Sequence, residues 1–142
     1  LNDGFITKED LLSYKSIYRD PIVGTYRGNK IISMGPPSSG GALLVQMLNM
    51  LENFDIKSME RNSTEFVHLL TEVQRLAYAD RAIHLGDPDF WPNPIPMLTS
   101  KTYAKDRIKN IDMKKTIKIL ILVLVIPELA CHDLPDKQRT LF

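Results

Sequence analysis

Cysteine is nearly absent from this 142-residue chain: Cys131 stands alone. That excludes an internal disulfide and a cysteine-rich zinc site. Net charge is nearly absent too. Eighteen lysines and arginines oppose 17 acidic residues, for a formal charge of +1, so no electrostatic case exists for a nucleic-acid partner or an anionic membrane. Histidine is scarce. His68, His84 and His132 show no metal-ligand spacing and read as surface or core-edge residues. No apolar run approaches the roughly 20 residues that cross a bilayer. There is no Gly-x-Ser-x-Gly elbow and no phosphate-loop lysine, which removes two common routes to nucleophilic or phosphate chemistry. Leu1 rather than methionine opens the chain, with no basic-then-apolar leader behind it; the expectation is a processed product or a piece of a longer protein.

What is present suits a folded unit. Hydrophobic residues make up 44% and charged residues 25%, enough for one modest domain with its own core. Thr7-Lys8-Glu9-Asp10 is a capped helix start. Leu11, Leu12, Tyr14, Ile17 and Tyr18 extend an apolar face as far as Pro21. Residues 22–26 and 30–34 read as strands around Arg27-Gly28-Asn29, where a Gly-Asn pair can supply the positive φ values of a tight hairpin. Met34-Gly35-Pro36-Pro37-Ser38-Ser39-Gly40-Gly41 then leads into a helix over 42–54. That helix is apolar on more than one side and therefore reads as deeply buried.

Asn62-Ser63-Thr64-Glu65 opens a third helix reaching about residue 85, stopped by Gly86-Asp87-Pro88-Asp89-Phe90-Trp91-Pro92. Pro92, Pro94 and Pro96 predict an extended connector. Ser100 caps a basic fourth helix over 101–110. Residues 119–126 form an unbroken aliphatic run whose composition favours a buried strand, or an aggregation-prone segment if left exposed.

Three groups of residues offer chemistry, each beside a plainer reading. Ser38-Ser39-Gly40-Gly41 at a helix entrance can form an anion or oxyanion cradle, or a capped, tightly packed turn. Asp80 and Arg81 with Asp87 and Asp89 can form a polar or metal-binding constellation. They can equally tie a helix end to its loop through an Asp-Arg pair and caps. A metal hydrolase built on Asp80, Asp87 and Asp89 is the remotest option, because the pattern lacks the remaining oxygen ligands of a cation loop. Cys131-His132 is too short a match for a catalytic dyad. Lys101, Lys105, Arg107 and Lys109 read as a solvated basic helix face.

Several phrases of the sequence carry a resemblance. Gly4-Phe5-Ile6-Thr7-Lys8-Glu9-Asp10-Leu11, Tyr26-Arg27-Gly28, residues 33–41 with Gly35 in place of a proline, Leu48-Asn49-Met50-Leu51-Glu52, Tyr78-Ala79-Asp80-Arg81 and Leu85-Gly86-Asp87-Pro88-Asp89-Phe90 occur in this order. Together they resemble the gamma-glutamyltransferase (glutathione hydrolase) family over about residues 3–113.

The resemblance implies an α+β, helix-rich piece with one β-hairpin, part of the αββα fold of the N-terminal nucleophile hydrolases. It also implies an enzyme whose precursor cuts itself, so that a new N-terminal threonine attacks gamma-glutamyl bonds with its own amine as base. The matched region is the C-terminal part of the large subunit. The family's Thr-Thr-His junction does not occur in these 142 residues, so the chain alone is expected to be inactive. Catalytic, cofactor-binding and metal-binding residues are all expected to be none in this chain.

The implied partners are the small catalytic subunit and gamma-glutamyl peptides such as glutathione. The implied location is periplasmic, secreted or cell-surface. Residues 1–116 form the family-like region. Residues 117–142 depart from it, which suggests a truncated or frame-shifted product. The alternative is a non-catalytic binding or scaffold module that keeps part of the fold.

Overall fold

A computed structural model describes residues 4–114. The aliphatic run, Cys131, His132 and the 117–142 tail lie outside the described residues. The element order is α1 (Lys8–Ser13), β1 (Ile22–Tyr26), β2 (Asn29–Ser33), α2 (Gly40–Leu51), α3 (Thr64–His84), α4 (Ile95–Leu98) and α5 (Lys101–Arg107), with short 3-10 turns at Ile56–Ser58 and Ile108–Asn110. Among the described residues no helix is long and apolar enough to cross a membrane.

α2 is the centre, and its sequence explains why. Gly41, Ala42, Leu43, Val45, Gln46, Asn49 and Met50 are all buried, so the helix is covered on two sides. One side, through Leu43 and Met50, meets Leu69, Val73, Leu76 and Ala77 of α3 and Ala104 of α5. The other side, through Ala42 and Val45, meets Ile22 and Ile31 of the hairpin, with Leu85 and Ile95 alongside. The molecule is therefore layered as hairpin, α2, then α3 with α5.

α3 shows why spacing worked. His68, Leu69, Val73, Leu76, Ala77 and Asp80 are its buried residues, three or four apart along a single stripe. Ser63 caps it by accepting from the Phe66 amide at 3.2 Å, and Ser100 caps α5 through the Tyr103 amide at 3.1 Å.

Three sequence expectations are corrected. The first helix stops at Ser13, and Tyr14 is already extended. Its capping box forms between Thr7 and Asp10, but it buries no residue, and a helix this short lacks the packing that would prolong it. The hairpin turn is Arg27-Gly28, not Gly-Asn. Tyr26 pairs with Asn29, leaving a two-residue loop with φ of 48° and 83°, as a primed turn requires. The proline-rich connector contains α4, with Pro96 in its first turn, where a missing N–H does no harm. Buried Leu98 gives that turn its reason to form.

Candidate functional site

The Pro-Pro-Ser-Ser-Gly-Gly entrance turns the chain from β2 into α2. The Ser38 hydroxyl accepts from the Gly40 amide at 3.3 Å. Ser39 occupies the N-cap with helical backbone angles, and its side chain makes no capping bond. Its hydroxyl instead accepts from Arg81 Nε at 3.0 Å. Gly41 is required by contact: a Cβ there would lie 2.1 Å from the Met34 carbonyl oxygen. Gly40 is different, since its Cβ would meet only Ser38 Oγ, at 3.4 Å.

Asp80, Arg81, Asp87 and Asp89 do not converge. Asp80 is buried and belongs to the helical layer. Its carboxylate accepts from Gln46 Nε2 at 2.5 Å and from Arg107 Nε at 3.0 Å, and a second Arg107 nitrogen lies 2.9 Å from its other oxygen. The same guanidinium donates to the Leu76 carbonyl at 3.3 Å. Tyr103 also bonds Asp80; burial, and then the carboxylate's charge, push its hydroxyl pKa up. Arg81 turns away to Ser39. Asp87 caps its own loop through the Asp89 amide at 3.0 Å. Asp89 takes Arg19 in a fork, 3.0 Å to each oxygen. Among the described residues no three His, Cys, Asp or Glu side chains stand where they could hold a metal.

The basic face over 101–110 is also not simply solvated. Arg107 is sunk into the Asp80 site, Lys101 pairs with Glu52, and Lys109 bonds Asp106 at 2.7 Å. Glu52 is a hub. It accepts from the Arg27 amide at 2.6 Å, while Lys101 takes its other oxygen. Those bonds, the Lys101 one first, hold its carboxyl below the ordinary glutamate pKa. Arg27 continues the clamp by donating to the Phe54 carbonyl at 3.2 Å and by lying over the Tyr26 ring.

His68 is buried. Its Nε2 lies 3.2 Å from the Asp112 carbonyl oxygen, and its Nδ1 has no hydrogen-bond partner among the described residues. His84 sits in the last turn of α3, and its carbonyl accepts from the Trp91 indole at 3.0 Å.

An open apolar groove of about 860 Å³ lies between the segment after α1 and the end of the hairpin. Tyr14, Ile17, Ile32, Met34 and Pro36 line it, with Lys15, Arg19, Ser38 and Asp89 among its polar residues.

The sequence phrases thus meet in pairs. Tyr-Arg-Gly meets Glu52, Ser-Ser-Gly-Gly meets Arg81, and Asp89 meets Arg19. These contacts hold layers together. The serine hydroxyls face an amide and a guanidinium rather than a base. Sequence reading missed Gln46, Asn49, Glu52, Tyr103 and Arg19. For two of them a signal existed: Gln46 and Asn49, three apart inside an apolar helix, had to find polar partners. Asn49 does so by donating to the Thr99 carbonyl at 2.7 Å.

Comparison with known proteins places this geometry. The family model described as Gamma-glutamyltranspeptidase matches residues 1–133. The glutathione hydrolase proenzyme of Escherichia coli (strain K12) is 51% identical over 114 residues, 80% of this chain and 20% of that protein. An acylase ACY 1 proenzyme of Pseudomonas sp. (strain SE83) is 46% identical over the same shares. The crystal structure of Helicobacter pylori gamma-glutamyltranspeptidase superposes with a TM-score of 0.73 at 49% identity, covering 77% of this chain and 31% of that one. A cephalosporin acylase from Bacillus halodurans gives 0.68 at 28% identity, covering 77% and 20%. The chain spans about a fifth of the length of the curated relatives it matches.

Proposed function

The chain belongs to the gamma-glutamyltranspeptidase family, and from that premise we propose that it is the C-terminal part of the large subunit of a gamma-glutamyl hydrolase or transferase. The proposed partner is a small subunit bearing an N-terminal threonine. In that enzyme the threonine oxygen attacks the gamma-glutamyl carbonyl while its own α-amine takes the proton. The amine product departs with that proton and leaves an acyl-enzyme. Water or an acceptor amine then releases the gamma-glutamyl group. Glutathione and related peptides are the proposed substrates.

The role of this chain is architectural. It supplies a helical layer locked by Asp80 and Arg107, and a hairpin fixed to that layer by the Glu52 clamp. The observation that carries the reading is the continuous match over residues 1–133, joined to the superposition on the Helicobacter pylori enzyme. The relatives include acylases as well as glutathione hydrolases. Identity is 51% to the Escherichia coli glutathione hydrolase and 46% to the acylase; the gamma-glutamyl substrate is proposed on the family match.

A chimaera tests this. The Helicobacter pylori enzyme carries residues 4–114 of this chain in place of its equivalent stretch. It should cut itself and release p-nitroaniline from gamma-glutamyl p-nitroanilide, whereas the 142-residue chain alone should release none. A folded chimaera that neither cuts itself nor turns over would sink the proposal, as would turnover by the isolated chain.

A further inference from the structure

His68 is a polar residue in an apolar place. It stands beside Leu69 near the start of α3 and is only 6% exposed. An aliphatic side chain there would leave no polar atom to satisfy. Its Nε2 is 3.2 Å from the Asp112 carbonyl oxygen. A carbonyl only accepts, so Nε2 carries the proton and donates it. Nδ1 is then a bare acceptor, buried and without a hydrogen-bond partner among the described residues. Burying an unpaired acceptor is unfavourable, and such local costs gather where a fold meets a functional demand.

What the one bond holds is the end of the helical layer. After the 3-10 turn Ile108–Asn110, Ile111 has an extended backbone, with φ of −90° and ψ of 119°. Side chains then alternate. Ile111 and Met113 pack against the core formed with α3, while Asp112 and Lys114 are exposed. Among the described residues no strand pairs with this stretch, so its backbone is fixed from elsewhere. The Asp112 carbonyl goes to His68, and the Asp112 carboxylate accepts from the Lys114 amide at 3.0 Å. His68 thus fastens the chain to α3 at the end of the layer.

We propose that His68 is a positioning residue for self-cleavage of the precursor: by holding the Asp112 carbonyl, it fixes the direction in which the chain leaves α3 towards the junction. The inference rests on the reading given above, in which these residues end the large subunit and the polypeptide beyond them runs on to the cut. The net step is hydrolysis of one peptide bond. The oxygen of water ends on the carbonyl carbon, the C–N bond breaks, and the nitrogen takes a proton to become the threonine α-amine. Such an intramolecular step needs the scissile carbonyl and its attacker in one geometry, and slack in the preceding chain works against that. An anchor at Asp112 removes the slack contributed by the chain before it. Once the bond is cut, the anchored segment carries no reacting group. Loss of the anchor should therefore slow self-cleavage and spare turnover.

The Helicobacter pylori chimaera carrying residues 4–114 tests this as a precursor. Self-cleavage is timed by the appearance of two subunits on a denaturing gel. Turnover of gamma-glutamyl p-nitroanilide is measured per cut molecule. His68→Phe fills the site without the donor and should slow self-cleavage by more than about tenfold, with turnover within about twofold of the parent chimaera. His68→Gln restores an N–H donor and should return self-cleavage to within about threefold. Ile111→Ala loosens the same segment and leaves α3 untouched. It should slow self-cleavage as well, and it decides the matter if His68→Phe does not fold. Unchanged self-cleavage in His68→Phe, or in Ile111→Ala where it stands in, would overturn the proposal. So would equal losses of self-cleavage and turnover, which signal general damage, or a His68→Gln variant as slow as His68→Phe. Failure of the functional reading looks different: the chimaera with His68 intact then does not cut itself, and the proposal falls with it.

Discussion

The two sides of α2 answer to different kinds of evidence. On the α3 and α5 side the layer has a continuous apolar core and most of its own polar partners. Leu69 and Ala77 have no exposed surface, and the one buried carboxylate among the described residues, Asp80, has its cation, its amide and its phenol from within the chain. On the hairpin side, Ile22, Ala42 and Val45 make a thin core, and the strands turn Val23 and Ile32 outwards. Exposed large apolar side chains occur on both sides but gather most closely on the hairpin and the segment before it. Val23, Ile32 and Met34 are exposed there together with Phe5, Tyr14, Ile17 and Tyr18, whereas α3 exposes Val67, Tyr78 and Ile83.

Substitutions can break or sharpen that contrast. The largest loss is expected for Asp80→Ala, which strands the Arg107 guanidinium and Gln46 in the interior. The cost should be about 3–5 kcal/mol, read from the urea midpoint of the chain; a loss below about 1 kcal/mol would show that the helical layer is not locked there. Leu69→Ala comes next, at about 2–5 kcal/mol for a fully buried leucine. Its measure is the same unfolding curve.

Gly41→Val tests the joint between the two sides. Its new Cβ meets the Met34 carbonyl, so the turn must move, at about 1–3 kcal/mol. Gly40→Ala would meet only the Ser38 hydroxyl, at ordinary contact distance, and should change stability by less than about 0.5 kcal/mol. Equal effects at the two glycines would remove the close-approach explanation.

The Glu52 clamp joins hairpin to helices from the surface, so Glu52→Gln should cost no more than about 1 kcal/mol. Its pH dependence has a definite sign. The folded pKa is lowered, chiefly by Lys101. The clamp's contribution is therefore full above the ordinary glutamate pKa and is lost as pH falls through the lowered folded value. Unfolding followed against pH should show wild type and Glu52→Gln converging in acid. Divergence instead would assign the clamp to packing. Smallest of all, Val23→Thr should leave the isolated chain within about 0.5 kcal/mol of wild type, because that side chain is 53% exposed.

Much of this was readable before any coordinates. Ser100 caps the helix it is expected to cap, the Asn62-Ser63-Thr64-Glu65 start opens α3 with Ser63 as its cap, and the stripe from Leu69 to Ala77 lies on one face as its spacing requires. The family follows from ordered phrases whose identity did not depend on shape. The misreadings share a cause. Tyr14, Ile17 and Tyr18 have helical spacing but no surface to bury against, so the periodicity did not become a helix. Lys101 and Arg107 were read as one solvated face because spacing says nothing about what another helix brings opposite.

The sequence by itself determined what depends on neighbours within a turn: the caps at Thr7, Ser63 and Ser100, the presence of a hairpin after Pro21, and the stop after His84. These are fixed by backbone geometry over three or four residues. Only the tertiary structure decided that Asp80 takes Arg107, 27 residues away, rather than the adjacent Arg81. Only it decided that Gly41, and not Gly40, must lack a side chain. A side chain's partner is set by which helix faces pack together, and that packing is a property of the whole fold that no local spacing contains.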